Sequence, residues 1–315
     1  MLTVFYHSDT DIREAHGIEA FQQIAVDKMC WVDLKSADAA EVKSVEAVFN
    51  IDFEQLKAEN KLESNTQFYE SEDLIFISTN FIAIKDGHFE STPVYMYLAS
   101  NVLITERNEN YTSFDETIKK IKRNRKGFKH GSDILEGILE TKFDLDVDYI
   151  EQVARDIAAM NRSISLRSEI AMEKMLLKIN DYQESATLSR DSFIDKQRVT
   201  SALLKSSAFG NKSRLNILIK DINAMLDYTS FIFVRLEYLQ NTIIGLISIQ
   251  QNKTIKIFTI VSVVFMPPTL IASIYGMNFK RMPELDWHLG YPMALVLIIA
   301  SSLATLLLFK LKKWL

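Results

Sequence analysis

Two uninterrupted apolar runs lie near the end of the chain. Residues 257–276 contain no charged side chain, and residues 291–309 form a second uncharged run of nearly the same length. About 20 apolar residues in a helix span the roughly 30 Å of hydrocarbon in a bilayer. The alternative is a buried helix in a soluble core, which is rarely apolar on all sides for this length, twice in succession. The pattern therefore predicts two transmembrane helices.

A third long pattern precedes the first run. From about Lys212 to Tyr275, apolar residues recur every three or four positions, with one glycine, Gly245, and no proline before Pro267. This spacing predicts one helix of about 60 residues, roughly 90 Å long. A helix of that kind would transmit changes from the preceding domain to the membrane. The alternative is a passive stalk.

The N-terminal part alternates between strand and helix patterns. Runs of β-branched and aromatic residues predict strands at Leu2–Tyr6, Cys30–Leu34, Leu74–Thr79, Phe81–Ile84, Val94–Leu98 and Val102–Thr105. Helical spacing predicts helices at Ala39–Phe49 and Phe53–Lys61 between them. Beyond residue 112 the patterns are helical: a basic helix capped by Ser113 or Asp115 and ending near Arg125, then helices at 131–141, 146–187 and 190–209.

Lysines on either side of the apolar runs predict the orientation. The outer flanks carry Lys253, Lys256, Lys310, Lys312 and Lys313, whereas the connection carries only Lys280 and Arg281. Because positive flanks stay inside, both termini are expected in the cytoplasm, at the inner membrane.

The predicted fold class is an α+β membrane protein with an N-terminal cytoplasmic α/β domain, a long helical stalk and two C-terminal transmembrane helices. Its predicted parts are a cytoplasmic α/β domain over 1–130, a helical section over 131–211, the stalk over 212–256, transmembrane helices over 257–276 and 291–309, an external loop over 277–290 and a basic tail over 310–315.

Charge and composition narrow the function. Residues 252–315 carry seven basic and two acidic residues, so the preceding part of the chain carries 29 basic and 39 acidic ones. An acidic body argues against nucleic acid as a partner and suits a protein that gathers cations near a membrane. The five histidines and nine glycines are scattered, without metal-ligand spacing or a phosphate loop. We therefore expect no enzyme and no cofactor. Cys30 is the single cysteine, which favours reducing surroundings.

Polar residues form a stripe along the first predicted span. Thr259, Ser262, Thr269 and Ser273 are separated by 3, 7 and 4 positions and therefore share one helix face, with Asn252 seven positions earlier and Met266 between them. Either helix packing or a pore lining explains such a stripe. No Asp, Glu, Lys or Arg lies in either run, which argues against proton coupling. Two spans cannot enclose a pore, so a pore would require several copies in a ring.

The connection between the runs carries a recognisable set of motifs. It contains Tyr275-Gly276-Met277-Asn278-Phe279 and Met282-Pro283-Glu284-Leu285, after Phe265-Met266-Pro267 in the first run and before Lys312-Lys313-Trp314-Leu315. Over roughly residues 250–315 this arrangement resembles the CorA family of magnesium channels. The resemblance implies a funnel-shaped homopentamer in the lipid bilayer that admits Mg²⁺, often with Co²⁺ or Ni²⁺.

The resemblance also implies roles for individual residues. Gly276, Met277 and Asn278 would form the ion-binding entrance, and the matching pore-lining positions are Asn252, Phe258, Met266 and Thr269. Lys310, Lys312 and Lys313 would form a basic collar. The family uses cytoplasmic carboxylates as Mg²⁺ sensors, and Asp221 and Asp227 are candidates for that role, an exposed helix face being the alternative reading. A Zn²⁺ transporter of the same superfamily and a membrane-tethered scaffold without transport activity remain as alternative functions.

Overall fold

The computed structural model describes residues 1–8, 11–59, 67–85, 88–124, 127–164, 169–207, 209, 212–278 and 282–312, with the backbone alone at 59, 67, 83–85, 88–90, 169–171 and 285. Its contacts divide the chain into two units. One comprises Met1–Arg167 and Glu173–Gln240, and the other comprises Ser168–Met172 and Asn241–Leu315.

The first unit contains a mixed sheet. Its strands are β1 (Leu2–Ser8), β2 (Asp11–His16), β3 (Met29–Lys35), β4 (Gln67–Glu70), β5 (Leu74–Lys85), β6 (His88–Ala99) and β7 (Val102–Arg107). Their order in the sheet is β2-β1-β3-β7-β6-β5-β4. Among the described strands, β3 and β7 pair in parallel and the other neighbours pair antiparallel.

Helices lie between the strands and after them along the chain. They are α1 (Ile18–Gln23), α2 (Ala39–Phe49), α3 (Phe53–Glu59), α4 (Thr112–Arg123), α5 (Gly131–Ser163), α6 (Glu169–Lys205) and α7 (Ser213–Tyr275), and α7 continues into the second unit. The second unit also contains a 3₁₀ turn at Pro283–Leu285 and α8 (Gly290–Leu311).

Strand alternation builds two apolar layers. Val32 and Leu34 of β3 join a buried cluster with Val45 and Phe53, which belong to α2 and α3. Trp31, the neighbour of Val32 in β3, stacks on Phe5 with ring centroids 4.6 Å apart. Successive residues of a strand point to opposite faces, so the sheet is apolar on both sides.

A buried ion pair joins the two central strands. The Arg107 guanidinium donates to both carboxylate oxygens of Asp33, at 3.1 Å from Nε and 2.7 Å from Nη2. Thr105 donates to the same carboxylate at 2.7 Å. A bidentate pair with a further hydrogen bond satisfies the charges that the sheet buries.

Most predicted elements are present, with differences at polar positions. Leu74–Thr79 and Phe81–Ile84 form one strand, β5, and the polar edge strands β2 and β4 were not predicted. Predicted capping of α4 by Ser113 or Asp115 is wrong, because Tyr111 occupies the N-cap position and Ser113 is buried inside the first turn. Lys61 and Arg125, the predicted ends of two helices, lie outside the described residues.

The long helices differ most from their predicted bounds. The predicted break at 142–145 does not exist, because α5 continues through it to Ser163. Lys142 and Asp146, at the two edges of the predicted break, form an ion pair one turn apart on the buried side of α5. The predicted break at 188–189 lies inside α6. The long helix predicted before the first apolar run is confirmed as α7, with 63 residues and with Pro267 and Pro268 inside it.

Candidate functional site

Both apolar runs form helices that suit a membrane. The most apolar parts of α7 and α8 have mean hydropathies of 2.1 and 2.3, and each helix is long enough to cross a bilayer. The two predicted spans are thus confirmed as helices.

The polar stripe lies on an exposed face of α7. At about 100° per residue, its members occupy an arc of about 120° around the helix axis. All of them are exposed in the single chain: Asn252, Phe258, Thr259, Ser262, Met266, Thr269 and Ser273. Its two apolar members, Phe258 and Met266, are 69% and 65% exposed. The face is therefore available to lipid, to water or to another copy of the chain.

A different face of α7 is half-buried within the second unit. The half-buried residues are Ile260, Val263, Val264, Pro267, Pro268, Ile271 and Tyr275. Their arc is centred about 150° from the stripe. On α8 the half-buried residues recur at the same spacing: Met293, Ala294, Ile298, Ser301, Ser302, Thr305 and Phe309. Half-buried residues at this spacing form one face of each helix. The stripe lies outside the half-buried face of α7, so packing within the chain does not account for it.

Three of the four stripe hydroxyls bond to their own helix. Thr259 donates to the Ile255 carbonyl at 2.9 Å, Ser262 to the Phe258 carbonyl at 2.9 Å, and Thr269 to the Phe265 carbonyl at 2.7 Å. Each hydroxyl hydrogen is thereby engaged, and the oxygen keeps its lone pairs for an outside donor. Water molecules around a cation point their hydrogens outward, so this face can accept hydrogen bonds from a hydrated cation.

The two prolines change the backbone on the opposite side. Pro267 and Pro268 have no N–H to give the carbonyls of Val263 and Val264, four residues earlier. Both valines belong to the half-buried face. The carbonyls that the prolines release are therefore not those of stripe residues.

The Gly-Met-Asn segment follows the end of α7 directly. The Gly276 and Met277 amides still bond to Ala272 and Ile274 at 2.9 and 3.3 Å, and Asn278 is exposed beyond them. The helix ends at Tyr275, directly before Gly276, whose φ is not positive. A Cβ atom there would lie 3.1 Å from the Ala272 carbonyl oxygen, so close approach explains the glycine. Phe279, Lys280 and Arg281 lie outside the described residues.

Gly290 is a residue of this connection whose role the sequence did not reveal. It begins α8, it is buried, and its amide bonds to the Trp287 carbonyl at 2.9 Å. A Cβ atom on residue 290 would collide with the Glu284 carbonyl oxygen. Only glycine lets the 3₁₀ turn close onto the start of α8. A glycine directly before Tyr291-Pro292 was the available signal.

The remaining predicted residues lie apart from one another. Lys310 and Lys312 are exposed at the end of α8, and Lys313 lies outside the described residues. Asp221 and Asp227 are both exposed on α7 and, six positions apart, point about 120° away from each other. Within the described part of the chain, no group of three or more His, Cys, Asp or Glu side chains is arranged to hold a metal ion. A sensor site at either aspartate would therefore need ligands from another copy.

One known protein family matches most of the chain. The family described as CorA-like Mg²⁺ transporter protein matches residues 26–313. The chain belongs to the CorA-like Mg²⁺ transporter family. The resemblance that the sequence showed over residues 250–315 is confirmed and extends over most of the chain.

Individual members of the CorA family support this assignment. The chain is 36% identical over 310 residues to the magnesium transport protein CorA of Wolinella succinogenes, covering 94% of this chain and 96% of that protein. It is 30% identical to the protein of the same name from Campylobacter jejuni, with both chains covered completely. The solved CorA magnesium transporter of Methanocaldococcus jannaschii superposes with a TM-score of 0.81 at 16% identity, covering 100% of this chain and 99% of that one. This likeness confirms the predicted fold class: an N-terminal α/β domain, a long helix and two apolar C-terminal helices.

Proposed function

We propose that this chain is a passive, potential-driven channel for Mg²⁺ uptake across the inner membrane. The observation that carries the proposal is the exposed stripe on α7, which offers acceptor oxygens outside the half-buried face of that helix. We take Mg²⁺ as the transported ion because the chain belongs to the CorA-like Mg²⁺ transporter family. The family resemblance extends the proposal to Co²⁺ and Ni²⁺ as further permeant ions.

The channel requires several copies, because two spans per chain cannot surround a pore. The family resemblance gives the number as five, in a funnel-shaped homopentamer. Exposed apolar residues on the part of α7 in the first unit favour contacts between copies: Ile217, Phe231, Val234 and Tyr238 are 54–66% exposed. A soluble helix face that apolar is stabilised when another subunit covers it.

The ion path would begin at the Gly-Met-Asn segment. In a ring, Asn278 of each copy presents an amide oxygen, with Gly276 and Met277 shaping the entrance. Mg²⁺ dehydrates reluctantly, so amide oxygens that bond to its water shell suit it better than a cage of carboxylates. Below the entrance, hydroxyls alternate with Met266 and Phe258, which would act as apolar constrictions that gate by dewetting.

The membrane potential is sufficient to drive uptake. With 100 mV, negative inside, an ion of charge 2+ gains about 4.6 kcal/mol on entry, since each charge contributes about 2.3 kcal/mol. We place both termini in the cytoplasm, with Lys310, Lys312 and Lys313 as a collar at the inner membrane face. The channel then needs no enzymatic step and no cofactor.

Cytoplasmic Mg²⁺ would regulate this channel. The acidic balance of residues 1–251 favours cation binding between copies, and Asp221 and Asp227 are exposed where a neighbour could add ligands. Ions bound there would hold subunits together and close the gate. Asp221→Asn with Asp227→Asn should then keep Mg²⁺ uptake active at high internal Mg²⁺. Unchanged closure removes these two residues as sensors.

Asn278→Ala tests the proposed ion path. Cells that depend on this protein for Mg²⁺ should lose uptake with the variant, while its assembly in detergent stays normal. His288→Ala, an exposed change in the same connection, is the matched control and should keep uptake. Normal Mg²⁺ uptake by the Asn278→Ala variant would contradict an ion-binding entrance at Asn278. Uptake of Zn²⁺ but not of Mg²⁺ by the unmodified protein favours the Zn²⁺ transporter, and uptake of neither ion favours the scaffold.

A further inference from the structure

Exposed lysines flank the two apolar runs at the ends that are remote from the connection between them. Lys253 and Lys256 precede the first run by four residues and one residue. Lys310 and Lys312 follow the second run by one residue and three residues. All four are exposed and belong to the second unit. Because α7 and α8 are consecutive helices that can each cross a bilayer, these two ends lie at the same face of the membrane.

Their distance from the apolar runs places these lysines among lipid headgroups. At 1.5 Å per residue, their Cα atoms lie about 1.5–6 Å beyond the ends of the runs. The headgroup layer on each side of a bilayer is about 5–8 Å thick, since the whole bilayer measures about 40–45 Å and its hydrocarbon core about 30 Å. The ammonium groups are therefore at the level of the lipid phosphates.

This membrane face carries a surplus of positive charge. The chain has no acidic residue between Glu237 and Glu284 and none after Asp286. Glu284 and Asp286 belong to the connection, at the opposite face of the membrane. Within the described residues, neither Lys253 nor Lys256 forms an ion pair. The chain itself therefore does not neutralise the two lysines of α7.

The lysines of α7 point away from the polar stripe. At about 100° per residue, Lys253 and Lys256 lie about 160° and 100° from the middle of the stripe, on the arc of the half-buried face of α7. That face is half-buried from Ile260 onward and exposed at both lysines. Lys312 lies in the same way on the arc of the half-buried face of α8, beyond Phe309. Both half-buried faces thus end in exposed lysines that are not part of the stripe.

The spacing of the two lysines of α7 favours one shared anion. Residues three positions apart are neighbours on a helix surface, with about 5–6 Å between Cβ atoms, so the two positive charges repel each other. The flexible stems of Lys253 and Lys256 let both ammonium groups reach one phosphate. Ile257 and Val261, on the same side of α7, are 55% and 48% exposed. Apolar surface for an acyl chain therefore adjoins the two charges.

We propose that Lys253 and Lys256 bind the headgroup phosphate of an anionic phospholipid, with Lys312 as a further donor and the acyl chains along the apolar surface of α7. Lysines beside a transmembrane helix attract anionic lipid by about fivefold in affinity for each lysine. A zwitterionic lipid has no net charge and gains less. The site requires two helices that cross a membrane and does not require the ion path, so its test measures no ion flux.

Lipid binding to the purified full-length protein in a non-ionic detergent tests the site. The probes are phosphatidylglycerol and phosphatidylcholine with the same acyl chains, and native mass spectrometry gives the number bound and the Kd. The unmodified protein should bind phosphatidylglycerol at least about tenfold more tightly than phosphatidylcholine. Lys253→Gln with Lys256→Gln should bring the two Kd values within about twofold of each other, because the charges that distinguish the lipids are gone. Lys312→Gln alone should raise the Kd for phosphatidylglycerol about fivefold.

Lys205→Gln with Lys220→Gln is the matched control. It removes the same charge from exposed positions of the first unit and should keep the preference for phosphatidylglycerol. Equal binding of both lipids by the unmodified protein overturns the proposal, as does a preference that survives Lys253→Gln with Lys256→Gln.

Two further measurements distinguish other partners for these lysines. Release of bound phosphatidylglycerol by inorganic phosphate at about 20 mM would show a site for a free anion and would overturn the lipid assignment. The mass and melting temperature of each variant are also measured in lipid-free detergent. If Lys253→Gln with Lys256→Gln fails to assemble there while the unmodified protein assembles, the lysines serve contacts between copies and the proposal is wrong.

Discussion

Arg214, the second residue of α7, forms a bidentate ion pair with Glu140 of α5. Nε lies 3.0 Å from Oε1, and Nη2 lies 2.5 Å from Oε2. The same guanidinium lies 3.6 Å from the buried Glu136 carboxylate. The start of the helix that continues into the first membrane span is thus fixed to α5 through one arginine and two carboxylates.

Glu136 should make folding of the first unit depend on pH. Burial raises its pKa to about 7, with Glu140 and Asp133 adding to the rise and Arg214 opposing it. The folded state therefore binds more protons than the unfolded state between about pH 4.5 and pH 7. This contribution to stability is complete below about pH 4.5 and is lost as pH rises through about 7, at roughly 1.4 kcal/mol per unit of pKa difference. Glu136→Gln should remove this fall in melting temperature between pH 5 and pH 8.

Glu151→Gln, an exposed change on the same helix, is the control and should follow the unmodified protein. If the melting temperature changes with pH in the same way for Glu136→Gln and the unmodified protein, the pKa of Glu136 is not raised in the folded state.

The stripe hydroxyls should matter for ion flux. Thr259→Val with Thr269→Val keeps the shape of both side chains and removes their oxygens from the exposed face of α7. Losing about 1 kcal/mol of hydrogen bonding at each position predicts a Mg²⁺ flux at least about fivefold lower. Thr305→Val removes a hydroxyl from the half-buried face of α8 and should leave the flux unchanged. If Thr305→Val lowers the Mg²⁺ flux as much as the double variant does, the stripe hydroxyls serve helix packing and do not line a pore.

Gly290→Ala should destabilise the connection between α7 and α8. The added methyl group would overlap the Glu284 carbonyl oxygen, so the 3₁₀ turn must move away from α8. We expect less assembled protein in detergent and a melting temperature several degrees lower, corresponding to about 1–3 kcal/mol. At Gly245 nothing lies within 4 Å of an added Cβ, so Gly245→Ala should be neutral or stabilising within the chain. Equal behaviour of the two variants would contradict the close contact.

Cys30 should be unreactive in the folded protein. Burial raises the pKa of its thiol to about 12, and Sγ donates to the Phe5 carbonyl at 3.2 Å. At pH 7.4 the thiolate is then about a thousandfold rarer than for an exposed cysteine, and a maleimide should label the folded protein correspondingly slowly. Ser207→Cys adds an exposed thiol and should take up one label per chain, as measured by mass. Rapid labelling of the unmodified protein would show that β3 opens.

The elements that sequence patterns predicted well have local causes. The bounds of α2 agree with the prediction, and Asp38 and Glu41 form a capping box whose two halves are three residues apart. The edge strand β2 was missed because its residues are polar and paired on one side only. The break predicted at 142–145 was wrong because Lys142 pairs with Asp146 on the buried side of α5, where Asp146 also meets Lys196, fifty residues later. Such distant partners leave no periodic signal.

The candidate site on α7 and the connection to α8 show the same difference between local causes and distant partners. The spacing of Thr259, Ser262, Thr269 and Ser273 was sufficient to place them on one face of a helix. That this face stays exposed in the folded chain depends on packing between elements, which spacing within one helix does not specify. Gly290 was not singled out because its partner, the Glu284 carbonyl, belongs to the backbone and not to a motif.

The most direct test of the channel is Mg²⁺ flux into liposomes that contain the purified protein, measured with a Mg²⁺-sensitive dye while a K⁺ gradient sets the membrane potential. Because the proposed path is passive, influx should rise as the inside is made more negative, reverse when the gradients are reversed, and need no proton gradient. Asn278→Ala should abolish it. A flux that does not depend on the membrane potential, or that requires a proton gradient, would contradict a passive channel. An unchanged flux through Asn278→Ala would contradict an entrance at this residue.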